Sequence, residues 1–370
     1  MSEYVIERVL SVYIYCGVIF SFFFLIRQSK GLLQLRNLLC IYTVVLTALA
    51  FLYVPSKGAD VSRLILAGNG LVDKPWDEFL EWISETSTPI AFIYMRFLQS
   101  LNINGAMSGI TAFITISLFF SSVYTVAKKL NISNWSVSYY ILFLMCGGTF
   151  FGAIAGVRFA LATAIMANGL IALWYGKRNY LRLAVSMVVP CLIHTGMVPM
   201  LAFGALTLFL RKNLLSHFGA KILILLFGVI SINLMSYFVN AALDKYDIYA
   251  GTGASFGTSM YFFSIVSFVI YLGFMVSAKK NGFLGTLHES NKWMLVVLSV
   301  FEIFVIRDFV VFARYQYVYP LLLMPYLLCY AEKDCRNRTT VCSNTLLFIS
   351  LLKLAMGYLS DMSGMKFFAL

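Results

Sequence analysis

The chain has 370 residues, 61% of them hydrophobic and 12% charged, with a formal net charge of +12. A soluble protein of this size needs far more polar surface, so soluble enzymes and soluble binding modules are excluded. The cationic excess does not call for nucleic acid, because it is confined to short loops between apolar runs.

Apolar stretches of about 20 residues recur along the whole length, each long enough to cross a bilayer. This predicts an all-α, polytopic integral membrane protein. No long polar linker, sequence repeat or low-complexity tract divides it, so residues 1–370 read as one membrane domain. The first span begins at once. Glu7 and Arg8 precede "VLSVYIYCGVIFSFFFLI", no small-residue cleavage site follows, and the segment reads as a retained helix and not a signal peptide.

The basic clusters are Arg27/Lys30/Arg36, Lys128/Lys129, Lys177/Arg178/Arg182, Arg211/Lys212/Lys221, Lys279/Lys280/Lys292 and Lys333/Arg336/Arg338. They hold most of the 28 basic residues but only Glu289, Glu332 and Asp334 among the 16 acids. That bias is the positive-inside signature. Placing these loops in the cytoplasm puts the N-terminus outside. It predicts spans at about 5–26, 38–55, 105–127, 135–153, 157–176, 222–240, 259–278, 293–308, 311–331 and 342–359. The segment 183–210 remains. As one straight helix it would be about 42 Å long, against a hydrocarbon core of about 30 Å. A single crossing would also move every later basic loop outside. Pro190, His194, Thr195, Gly196 and Pro199 sit in its middle. Two short helices are therefore expected, about 183–194 and 197–210, broken at His-Thr-Gly and returning to the cytoplasmic face. Broken backbone at membrane depth is tolerated only where it is buried or lines a cavity.

The largest polar stretch, 56–104, is expected as an extracytoplasmic loop containing Asp60, Arg63 and Arg96. After Pro89, "IAFIYMRFLQSL" is too short to span and should lie at the interface or dip into it. Of the seven cysteines, Cys335 and Cys342 flank a loop on the cytoplasmic side, where thiols stay reduced. The cysteine spacing fits no zinc pattern. No disulfide, metal or cofactor is expected.

Arg158 is the only Asp, Glu, Lys or Arg between Leu130 and Gly176. One reading is a snorkelling anchor at the interface. Against it, a cation at the outer end of a helix opposes the positive-inside bias. The flanking Gly152, Ala153, Ala155, Gly156, Ala160 and Ala162 suggest tight packing and an arginine facing protein, which makes it a functional candidate. His194, at the expected helix break, reads either as a structural histidine bonded to a carbonyl or as a functional one. The two flanking spans run antiparallel across a short basic turn, so Arg158 and His194 can meet on the outer side.

Arg307, Asp308 and Arg314 form a second outer cluster. The run Tyr315, Tyr317, Tyr319 fits an interfacial belt or a sugar-stacking platform. Glu302 and Lys353, inside spans at similar depth, are expected to form an ion pair. Several arginines on one side suit an anionic, membrane-held substrate such as a lipid phosphate or diphosphate, because guanidinium forks match phosphate oxygens and keep their charge.

"GVRFALATAIM", a short basic loop and "VVPCLIHTGMVPML" together resemble the EpsG-like branch of the O-antigen and exopolysaccharide polymerases, the Wzy class. "YVPSKGADVSRLI", "STPIAFIYMRFL" and "ARYQYVYPLLL" are similar to further stretches of that family, although Lys57 stands where many members have an arginine. The resemblance implies a GT-C-like fold in the bacterial inner membrane with a site facing the periplasm. The implied substrate is an undecaprenyl-diphosphate-linked oligosaccharide, with a chain-length regulator as a possible further partner. Arg158, helped by Arg314, would hold the diphosphate. His194 would accept or orient the proton of the attacking hydroxyl, with Asp60 as the alternative base. Arg63, Arg96, Arg307, Arg314 and Tyr315 would contact substrate. A lipid-linked oligosaccharide flippase, an O-antigen ligase and a glycan acyltransferase are the competing readings. A flippase should show cavity charges reachable from both sides. An acyltransferase should pair its histidine with a nearby acid, and His194 has none in sequence.

Overall fold

The structure is a computed structural model that describes residues 3–55, 60–177, 179–211, 258–280, 287–306, 309–359 and 366–367. The expected span 222–240 lies outside them, as do Lys57, Arg178, Lys212, Lys221, Arg307 and Asp308. The described residues form helices and short connections, with no strand among them. Among the described residues four helices are long and apolar enough to cross a membrane, which bears out the membrane class.

The chain divides into two compact units, residues 1–197 with 324–370, and residues 198–323. The first unit starts with α1 (Glu3–Gln28) and α2 (Gly31–Phe51). The stretch expected as a polar loop is itself helical, forming α3 (Asp60–Val72), α4 (Trp76–Ser84) and α5 (Pro89–Ser100). Each carries a narrow apolar face, as in Leu71, Phe79 and Ile83, which cluster with Trp82 and Phe92. Burying those faces against one another is what lets so polar a stretch fold.

Next come α6 (Ala106–Leu130), α7 (Asn134–Cys146), α8 (Thr149–Ala155) and α9 (Val157–Tyr175). The single span expected at 135–153 is instead a pair, α7 and α8, bent by 46° at Gly147-Gly148. Helix α9 is largely apolar and most of its residues are buried, as expected for a helix enclosed by others. It packs between α6, α8 and α10 (Tyr180–Ile193). Its buried Asn168 is fully used. Nδ2 donates to Leu118 O and Ser122 Oγ, and Oδ1 accepts from Arg182 Nη2, which ties three helices together.

Two further helices complete the unit, α16 (Met324–Asn337) and α17 (Val341–Leu359), both packed on α7. One end of the unit gathers basic loops and helix starts. Asn134 Nδ2 donates to Ser29 O and Gly31 O. Glu332 Oε2 accepts from the N–H and hydroxyl of Ser133 and the hydroxyl of Ser136. Asp334 accepts from Thr339 and from the N–H of Ser343, capping the start of α17. At the opposite end, Lys366 pairs with Glu7, Ser11 Oγ accepts the Phe367 N–H, and Val54 N donates to Lys366 O. Ser108 Oγ donates to Ile154 O at 2.9 Å, so the start of α6 and the end of α8 lie side by side.

The second unit holds α11 (Val198–Arg211), α12 (Thr258–Lys280), α13 (Glu289–Val305), α14 (Phe309–Tyr315) and α15 (Tyr319–Leu322). The span expected at 311–331 is broken into α14, α15 and the start of α16. Pro320 and Pro325 explain the breaks, since neither can donate a backbone hydrogen bond to the preceding turn. Within this unit α11 packs on α13, and Phe203 meets Phe301 edge-on at 5.0 Å. Glu302 is fully buried. Its Oε2 accepts from Gln316 Nε2 at 3.0 Å, while its Oε1 has no hydrogen-bond partner. Lys353, the partner expected from sequence, belongs to the first unit, where its Nζ lies 4.7 Å from the Phe143 ring centre.

Candidate active site

The helix break expected at His-Thr-Gly is present. Helix α10 ends at Ile193, and a 3-10 turn over Thr195–Met197 leads into α11. Pro190 leaves the α10 ladder one donor short, and Pro199 stands in the first turn of α11, where its missing N–H costs nothing. His194 is the hinge residue, with extended backbone (φ −150°, ψ 116°). Its N–H still closes onto Pro190 O at 2.8 Å, and its own carbonyl accepts from Met197 N at 2.9 Å.

Arg158 lies in the first turn of α9, two residues after the Gly156 cap. It is half-buried, and its buried Nε has no hydrogen-bond partner. No hydrogen bond or ion pair to Arg158 occurs among the described residues. Its guanidinium therefore adds its charge to the positive end of a 19-residue helix without internal neutralisation. The next residue, Phe159, meets the His194 ring at 5.2 Å between centroids, with planes 80° apart. Met197, fully buried, takes a weak contact from Thr163 Oγ1, one helical turn further along α9. The α9 start and the 194–197 turn are thus packed together.

Asp60 opens α3 and pairs with Arg63 at 3.3 Å, both largely exposed. Helix α3 packs on α8, the segment leading into Arg158, and on α6. An exposed pair of this kind contributes little stability.

Arg96 has a different environment. It is 7% exposed, donates from Nη2 to Lys74 O at 2.8 Å, and places its guanidinium carbon over two rings, 4.0 Å from the centre of Trp76 and 4.4 Å from that of Phe79. These contacts bind α4 to α5. In the second unit Arg314 is exposed in the last turn of α14, while Tyr315 is buried against Phe301 at 4.9 Å. Sequence reasoning missed Phe159, and it used Gly196 only as part of the helix break; both hold the His194 ring. Their adjacency to Arg158 and to His194 was the only available signal.

The EpsG family profile matches residues 83–368, which include α9, the helix break and α10. The chain belongs to the EpsG family. The match begins after α3, so Asp60 and Arg63 fall outside it, whereas Arg158, His194 and Arg96 fall inside. No curated protein and no solved structure matches this EpsG-family chain.

Proposed function

We propose that this EpsG-family chain is a membrane glycosyltransferase that polymerises a bacterial surface polysaccharide, O-antigen or exopolysaccharide. The donor is a glycan on undecaprenyl diphosphate, and the acceptor is a sugar hydroxyl of another lipid-linked repeat. The enzyme sits in the inner membrane with about ten full spans and a broken re-entrant pair, in a GT-C-like arrangement, and its site faces the periplasm. Family membership supports the reaction class. One structural observation supports the site: an unneutralised arginine at a helix start, packed beside a histidine at a helix break.

The chemistry follows from charge. The anomeric C–O bond to the diphosphate breaks with its electron pair on the diphosphate oxygen. The acceptor hydroxyl oxygen forms the new C–O bond, and its proton passes to a carboxylate, for which Asp60 is the candidate. Negative charge grows on the departing diphosphate, so a fixed guanidinium and a helix start aimed at it lower the barrier most. Arg158 fills that role, with Arg63 as a further substrate contact. The test is reconstitution of the purified protein in vesicles with a synthetic lipid-diphosphate repeat. A product ladder is expected. A single transfer to a different acceptor would make it a ligase, and movement of the lipid without transfer would make it a flippase. Either result overturns the polymerase reading.

A further inference from the structure

Neutral imidazole has one N–H and one lone pair, and which nitrogen carries the proton is set by the hydrogen bond the other makes. In His194 the question is decided locally. The Gly196 N–H donates to Nδ1 at 3.0 Å, so Nδ1 is the acceptor and the proton sits on Nε2.

Several features hold this arrangement. Gly196 belongs to the 3-10 turn, and that turn is closed by the bond from Met197 N to His194 O. Met197 is anchored in the core, so the Gly196 N–H cannot swing away without unwinding the turn. Phe159 packs edge-to-face against the ring. There is no space for a side chain at 196: a Cβ there would lie 2.9 Å from Nδ1 and 3.0 Å from Cε1 of His194. Protonating Nδ1 would destroy the bond from Gly196 and set two N–H groups against each other. A general base must offer a free lone pair at the reacting proton. Here the only lone pair is occupied, and the other nitrogen already carries hydrogen.

We infer that His194 acts as a fixed Nε2–H donor and not as the general base, with Gly196 as the positioning residue that locks its tautomer. This rests on the polymerase reading. The donor adds to Arg158 on an anionic ligand, the diphosphate oxygens that gain charge as the anomeric C–O bond breaks. The hydroxyl proton then goes to a carboxylate and never to His194. A histidine used this way gives and takes no proton in the transfer, so it adds no acid limb of its own to the pH–rate profile while the Gly196 N–H holds Nδ1 as acceptor.

The test compares His194→Gln, His194→Asn and His194→Ala in the reconstituted protein. The glutamine amide reaches the Nε2 position, whereas asparagine reaches only the Nδ1 position. His194→Gln should stay within about tenfold of the parent rate, with Asn and Ala slower by about a hundredfold, the usual loss for one missing oxyanion donor. The acid limb of the pH–rate profile should be the same for the parent and His194→Gln. Equal losses in Gln and Ala, with an acid limb that vanishes in Gln, would overturn the donor role. Gly196→Ala should fold and lose rate with the ring displaced. A second readout needs no substrate: ¹⁵N-histidine NMR, with the His194 signal identified as the one missing in His194→Gln. The Nε2-protonated tautomer is expected. A Nδ1-protonated ring at neutral pH overturns the lock. If the tautomer is found but the parent protein transfers no glycan, the lock stands and the polymerase reading fails.

Discussion

Replacing Arg158 with alanine should separate activity from stability. Most buried arginines are costly to remove because a partner carboxylate or carbonyl is left behind. Arg158 leaves none among the described residues, and its Nε is a buried donor that folding strips of water without return. An orphaned buried donor costs about 1–3 kcal/mol. Truncation relieves that cost and loses the packing of a three-carbon stem, worth about 0.8 kcal/mol per buried methylene. The two roughly cancel, so folding stability should change by no more than about 1 kcal/mol. Catalysis should respond far more strongly. A preorganised donor aimed at developing charge contributes about 3–4 kcal/mol to the transition state, so Arg158→Ala should lose about a hundredfold to a thousandfold in rate. Arg158→Lys retains the charge without the planar fork and should fall between. The assays are polymer ladder length, initial transfer rate in vesicles and thermal unfolding in detergent. Normal-length polymer from Arg158→Ala would reduce the arginine to an interfacial anchor. A loss of folded protein matching the loss of activity would make it a structural residue. Both outcomes refute the diphosphate assignment.

Glu332→Ala should lower the unfolding temperature markedly without touching the transfer step. One carboxylate oxygen serves three donors on Ser133 and Ser136 at 2.7–2.9 Å, and stranding them should cost about 3 kcal/mol. Glu332→Gln should cost less. Asp334 lies in the basic C-terminal end of α16, beyond its apolar part. Burial pushes its carboxyl up, but hydrogen bonds from Thr339 and Ser343 outweigh this and hold it below its ordinary value. A depressed acid stabilises the fold above its unfolded pKa and loses that contribution as pH falls through the folded value. The melting-temperature gap between the parent and Asp334→Asn should therefore be constant above about pH 5 and shrink below about pH 4. Single cysteines at 279 or 280 should react with a membrane-impermeant reagent only from the cytoplasmic side. Labelling from outside would show that 183–210 crosses the membrane once and does not return.

Membrane class, the helix break and the isolation of Arg158 were legible in the sequence because each is set by local chemistry. A bilayer accepts only long apolar helices, prolines interrupt a ladder wherever they stand, and a lone cation in an apolar run is visible by counting. Family membership was legible in the Arg158–His194 block for the same reason: its elements are close in sequence. What could not be read depended on partners far along the chain or on a few tenths of an ångström. Arg96 had the composition of a substrate contact, yet Trp76 and Phe79 enclose it once α4 folds onto α5. Glu332 and Ser133 are 199 residues apart, and only the packing of α16 on α7 makes one the cap of the other. The polar stretch 56–104 became three helices because their narrow apolar faces find one another, which no single window of sequence reveals. The proton position on His194 was decided last. Composition supplies an imidazole that can lose or accept a proton, and the backbone N–H of Gly196, held by a turn anchored in the core, leaves it only the capacity to donate.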